Sequence, residues 1–208
     1  HLTYKPASKL LASAGGRALG SIIHKFKTFK DIGYETYTKL FDSCVAPILG
    51  YGAGIWAPGK KFPCIENILL RACRYYLGVH KYAPIPAILG DMGWVPNWLN
   101  RQIDSCRLWN RFIKMDDIRL TKQVFNYDLH MNGKFVKYVA DLCEQYNIDQ
   151  SFTQRQVIDL EVVKQKAMLD YISDWKQDIS TKPKLRNYKH FKTEFGVENY
   201  VKSFLPKN

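Results

Sequence analysis

Two stretches hold residues whose types and spacing bear on phosphate chemistry. In "ILGYGAGIWAPGKK", residues 48–61, Gly52-x-Gly54-x-x-Ala57 fits a loose dinucleotide fingerprint, and Gly54-x-x-x-x-Gly59-Lys60-Lys61 approaches a Walker A loop. Both motifs cradle phosphates on backbone N–H groups at the start of a helix. Pro58 and Gly59 bar a helix from beginning there, Phe62-Pro63 interrupts the next one, and the Ser/Thr hydroxyl for magnesium is missing. The stretch is instead expected to end a helix, packed through small residues, with Trp56 in the core and Lys60 and Lys61 turned outward. "KMDD", Lys114–Asp117, offers adjacent carboxylates that could hold magnesium ions if strands flanked them. The run "CRLWNRFIKM" before the pair is helical in pattern, so Asp116 or Asp117 is expected to N-cap the next helix.

Nucleophilic and metal chemistry find less support. Cys44, Cys64, Cys73, Cys106 and Cys143 are odd in number, lack CxxC spacing and sit among apolar neighbours. They read as buried thiols of an intracellular, reducing compartment, with no zinc site. His1, His24, His80, His130 and His190 are scattered, so no triad can be assembled.

Charge is the stronger signal. The 208-residue chain carries a net charge of +12 and a pI of about 9.4. That balance favours a polyanionic partner or an anionic membrane surface. Residues 5–81 hold twelve Lys/Arg against four acids. Lys9, Arg17, Lys25 and Lys27, then Arg71 and Arg74, then Arg107, Arg111 and Lys114 form basic stripes on helices whose other faces are apolar. Such stripes contact phosphates through charge without reading sequence. A solvated helix face is the competing explanation for each stripe. The glycines and serines beside Arg17 would let that helix approach either a sugar-phosphate backbone or another helix. No apolar run of about 18 residues is present, so no membrane span is expected.

The elements that must position these residues are helical in period. A helix is expected over 7–29, with Leu11, Ala14, Ala18, Ile22, Phe26 and Phe29 on its apolar face. "KDIG" reads as a turn. A second helix carries Tyr37, Leu40, Phe41, Cys44, Ile48 and Tyr51, kinked at Pro47. Pro63 should open a third, with Ile65, Ile68, Leu69, Ala72, Cys73 and Tyr76 inward and Gly78 as its cap. Residues 79–95 read as loop. Pro96 opens a helix with Leu99, Ile103, Cys106, Trp109 and Ile113 inward. Shorter helices are expected over 118–130 and 134–146, a long one over 154–178, a linker at 180–187, and an aromatic-rich segment over 188–205.

"SAGGRALGSIIHKFK", "YETYTKLFDSCVAPILGYGAGIW" and "IENILLRACRYYLGVHKYAP" stand in an order and spacing that resembles non-LTR retrotransposon polyproteins just after the reverse transcriptase palm. "GDMGW", "CRLWNRFIKMDD" and "KPKLRNYKHFKTEFGVENYVK" extend the likeness over nearly the whole chain. The resemblance implies an all-α fold: a thumb-like helical bundle over 1–115 and a helical linker region over 116–208. It implies a grip on an RNA/DNA template–primer duplex, with Arg17, Lys25, Lys27, Arg71 and Arg74 as the gripping residues. The RNA-directed DNA polymerase carboxylates, and the magnesium they hold, would belong to a palm upstream of His1. The chain itself would be a fragment with no cofactor and no active site of its own. The family often has acids where Gly50 and Gly54 stand here. The alternatives are a helical protein-interaction or structural module with no nucleic-acid role, and a P-loop nucleotidase.

Overall fold

The computed structural model describes residues 4–29, 32–56 and 61–203. Among them every regular element is helical and none is a strand. In chain order the elements are α1 (Lys5–Phe29), α2 (Tyr34–Cys44), α3 (Ala46–Leu49), α4 (Ala53–Trp56), α5 (Pro63–Leu77), α6 (Ile85–Met92) and α7 (Asn97–Ile113). Then follow α8 (Leu120–His130), α9 (Lys134–Gln145), α10 (Asp149–Thr153), α11 (Leu160–Thr181), a 3-10 turn at Pro183–Leu185, α12 (Tyr188–Phe191) and α13 (Asn199–Ser203). Among the described residues no helix is long and apolar enough to cross a membrane.

The chain packs as two compact units. One gathers His1–Tyr51, Phe62–Asn97 and Tyr171–Asn208; the other gathers Gly52–Lys61 and Trp98–Asp170. The division expected near residue 115 is one of chain order, and segments from both sides of it contribute to each unit.

In the first unit α1 packs on α3 and α5. Its buried residues are Ser8, Ala12, Gly15, Leu19, Ile22 and Phe26. This corrects the expected face: only Ile22 and Phe26 of it are buried, and Phe29 is exposed. The reason is close packing. A Cβ built on Gly15 would lie 2.5 Å from Leu49 Cδ2, so the helices meet where the side chains are smallest, not where they are most apolar.

The second expected helix is broken at Val45 rather than bent at Pro47, because Pro47 falls in the first turn of α3, where its missing N–H leaves no bond unmade. Tyr37, Phe41, Val45 and Leu49 are buried, while Cys44 and Tyr51 are exposed. Cys44 is therefore not one of the buried thiols expected; Cys73, Cys106 and Cys143 are, and all five cysteines are free.

Helix α5 begins at Pro63 and ends at Gly78, whose φ of 65° lets its N–H reach Arg74 O and Tyr75 O. Its buried face is Ile65, Leu69, Leu70, Ala72, Cys73 and Tyr76, with Leu70 in place of the expected Ile68. Phe26, Tyr37 and Tyr76 meet edge-on or tilted with centroids 5.0–6.0 Å apart, a geometry that adds to area burial. Tyr37 donates to Ala72 O at 2.9 Å and Tyr76 to Val201 O at 3.2 Å, so neither buried hydroxyl is left unpaired.

Two expected loops in this unit are structured. Residues 85–92 of the supposed loop form α6. Leu185, in the supposed linker, is 2 % exposed and packs with Trp175 and Ile179.

In the second unit Leu99, Ile103, Cys106 and Trp109 of α7 are buried, as expected, and Ile113 is half-buried. Trp109 Nε1 donates to Gln156 O at 3.0 Å, and the Asn110 amide bridges Ile158 O and Ile158 N at 2.7 Å each. Helix α9 packs on α8 and α10, and Phe125, Phe135 and Phe152 of these three helices meet the Phe112 and Trp109 rings of α7.

Candidate nucleic-acid interface

The phosphate-loop stretch reads differently once its neighbours are known. Residues 46–49 before it are helical, whereas a dinucleotide fold needs a strand there. Gly54 is buried, and a Cβ on it would lie 3.1 Å from Leu108 Cδ2 and 3.2 Å from Asp104 O. The glycine thus faces α7 within its own unit, and an acidic side chain at this position would force its neighbours apart. Trp56 is buried, as expected. Lys61 is exposed and lies 4.4 Å from the centroid of the Trp98 ring. Ala57, Pro58, Gly59 and Lys60 lie outside the described residues, as do Lys30 and Asp31 of the expected turn.

The paired aspartates are flanked by α7 and α8. Asp116 Oδ1 accepts from Ile118 N at 3.0 Å, closing a local turn. The N-cap of α8 is Arg119, with no side-chain cap bond, so the capping expected of Asp116 or Asp117 is corrected to turn closure. Among the described residues no group of three or more His, Cys, Asp or Glu is placed to hold a metal ion.

The basic stripes divide in two. In the first unit Lys27 of α1, Arg71 and Arg74 of α5, and Lys81 just beyond α5 line one shallow groove of about 540 Å³, floored by Ile23, Tyr75 and Val79. Among the described residues no acid lines it. The groove follows from helix periodicity. Arg71 and Arg74 stand one turn apart on α5, and Lys27 lies near the end of α1, which packs against α5.

Tyr75 donates to Ile23 O at 3.5 Å, and burial raises its phenol above the ordinary value, so the groove floor carries no negative charge. Arg74 Nε is buried with no hydrogen-bond partner among the described residues. An uncompensated donor on a cation is a cost of folding that a nearby anion reduces.

The remaining candidates of α1 lie outside this groove. Lys9, Arg17 and Lys25 are exposed, and Arg17 donates to Ser13 Oγ at 3.0 Å. The small residues near Arg17 serve helix packing. Gly15 meets Leu49, and a Cβ on Gly16 would lie 3.4 Å from Ile68 Cδ1. Arg107 and Arg111 belong to the second unit and are exposed on α7; Arg107 pairs with Asp104 one turn back.

Sequence reasoning missed Lys81. It lies in a loop, outside any helical stripe, but the interleaving of charge and rings in "HKY" at 80–82 is a signal that could have found it. Comparison with known protein families, with curated proteins and with solved structures finds no match for this chain.

Proposed function

We propose that this chain is the non-catalytic thumb and linker portion of a non-LTR retrotransposon reverse transcriptase, and that it grips a template–primer duplex by its backbone. The observation that carries the reading is the groove in which Lys27, Arg71, Arg74 and Lys81 converge, with no acid lining it among the described residues. Four cations on a shallow surface suit phosphates spaced along a duplex. The motif order along the chain supplies the family. Polymerisation and its magnesium would belong to a palm elsewhere in the same polyprotein, which is also a partner in this reading.

A second reading, a helical protein-interaction module, is favoured by one observation in the second unit. Leu120, Val124 and Tyr127 on α8, with its C-cap Met131, repeat at helical spacing and are each more than half exposed.

The test is binding of a labelled RNA–DNA heteroduplex to the full chain across salt concentrations. Log affinity is expected to fall against log salt with a slope of about −0.9 per phosphate contact, or about −3.6 if all four cations engage. Joint Arg71→Glu and Arg74→Glu substitution is expected to weaken binding at least about tenfold and flatten the slope by about two, with helicity unchanged by circular dichroism. Absence of binding even at low salt overturns the grip. Loss of helicity in the double variant would instead make both arginines structural.

A further inference from the structure

A second groove, of about 620 Å³, meets the first at Arg74 and Lys81, which line both. Its chemistry differs. Tyr82 and Ile85 present apolar surface, being 71 % and 47 % exposed, and Lys182 and Lys184 stand across from the α5 side with Arg74 and Lys81. Among the described residues no acid lines this groove either. Lys182 pairs with Asp178 at 2.7 Å, a mutually exposed pair that a phosphate can displace at little cost. The walls are stiff: Pro84 precedes α6, and Pro183 opens the 3-10 turn whose Leu185 is anchored in the core.

We infer that this second groove is a single-stranded nucleic-acid site, in which Tyr82 stacks a base of an unpaired extension running on from the duplex. The inference rests on the proposed duplex grip, because the extension reaches the groove across the shared residues Arg74 and Lys81. The aromatic is already arranged for stacking. Lys81 Nζ lies 5.0 Å from the centroid of the Tyr82 ring, the His80 ring lies 5.0 Å away at 47°, and Tyr82 N donates to His80 Nδ1 at 3.4 Å. A ring held beside the Lys81 ammonium, yet largely open to solvent, offers a base a π-face and its phosphate a charge. Base stacking tolerates any sequence, so the site would take an unpaired strand without selecting its bases. The groove volume lies within the ~300–1,000 Å³ typical of ligand clefts.

The experiment compares a blunt RNA–DNA heteroduplex with the same duplex bearing a single-stranded oligouridine extension, against the full chain. The extended duplex is expected to bind about fivefold to a hundredfold tighter, the range of one base stacked on an aromatic ring. Tyr82→Ala is expected to abolish that preference while leaving blunt-duplex affinity unchanged, and Tyr82→Phe to retain it. Equal binding of both duplexes by the unaltered chain overturns the inference, as does a preference that survives Tyr82→Ala. Failure of the blunt duplex to bind at low salt overturns the grip instead. If an acidic, proline-rich peptide is bound in a Tyr82-dependent manner and oligouridine alone is not, the groove is a peptide site and the inference fails.

Discussion

Both units turn cations onto themselves, Lys182 and Lys192 in the first and Lys122 and Lys166 in the second, but the first also gathers four at one groove. Lys27, Arg71, Arg74 and Lys81 converge on a groove that no acid lines among the described residues. In the second unit Lys122 is buried and donates to Phe112 O at 2.8 Å and Ile113 O at 3.4 Å, closing the last turn of α7. Lys166 donates to Tyr146 O at the end of α9, and Arg107 pairs with Asp104. Lysines at helix C-termini satisfy orphan carbonyls and favour the helix dipole. The lesson is that net charge along a sequence does not measure charge offered to a partner. What matters is whether each cation already has an acceptor from the fold.

The largest effect that separates the units comes from the second core. Trp109 is fully buried, stacks on Phe152 at 5.1 Å and meets Phe125 edge-on at 5.4 Å. Trp109→Ala removes these contacts and the bond to Gln156 O, and is expected to destabilise by about 3–5 kcal/mol. Thermal melts followed by circular dichroism measure the loss. At a temperature where the variant is still folded, heteroduplex affinity is expected to be unchanged, because the groove belongs wholly to the first unit. A parallel fall in affinity would break the comparison and place duplex contacts in both units.

How much of this contrast was legible depends on the element. Helix α5 could be read because Pro63, the apolar period and Gly78 agree. Helix α6 could not, because Pro84, Pro86, Gly90 and Gly93 resemble loop. Pro86 in fact sits in the first turn, where a proline N–H is not needed. Gly90 is small because Trp175 and Tyr188 press on it: a Cβ there would lie 2.8 Å from the Trp175 ring and 2.9 Å from the Tyr188 hydroxyl. Those neighbours lie some ninety residues away in sequence, beyond any local pattern.

The same holds for the site. Arg71 and Arg74 were legible from helical spacing, but their meeting with Lys27 and Lys81 needed the packing of α1 on α5. The buried stripe of α1 was misread because apolar size was weighed and closeness of approach was not. The Arg107–Asp104 pair, by contrast, was readable as an i, i+3 spacing.

A smaller effect concerns pH. In the second unit burial pushes the Cys106 thiol up to about 12 and Cys143 to about 11 from 9.0, and the Tyr146 phenol to about 12 from 10.0. Nearby Cys143, Asp149 and Asp170 act in the same direction on Cys106, Cys143 and Tyr146 respectively. In the first unit burial likewise pushes Tyr76 to about 12. Each group stays protonated longer in the fold than in the unfolded chain. Above about pH 9 the folded state holds more protons than the unfolded chain, so stability is full below about pH 9 and is lost progressively toward pH 12. Burial also pushes up the Cys73 thiol of the first unit, so both units weaken over the same range. Urea midpoints followed by tryptophan fluorescence are expected to fall from pH 9 upward, and less steeply in a Cys106→Ala variant. Midpoints that stay level to pH 11 would contradict the burial assigned to these groups.

The smallest effect probes the distinction most directly. Arg107 and Asp104 are 62 % and 31 % exposed at the side chain, so their pair stands largely in solvent. Burial raises the Asp104 carboxyl and Arg107 lowers it, so the pair relieves a desolvated acid more than it ties down the helix. Arg107→Ala is therefore expected to change stability by only about 0.2–1 kcal/mol. Its effect on heteroduplex binding decides what a paired arginine contributes. If acceptors within the fold withdraw a cation from phosphate contact, the variant keeps the full salt slope, whereas Arg71→Ala loses about one phosphate contact from it. Equal loss of slope from Arg107→Ala and Arg71→Ala would mean that a phosphate displaces Asp104, and that the stripe on α7 joins the grip on the same terms as the groove.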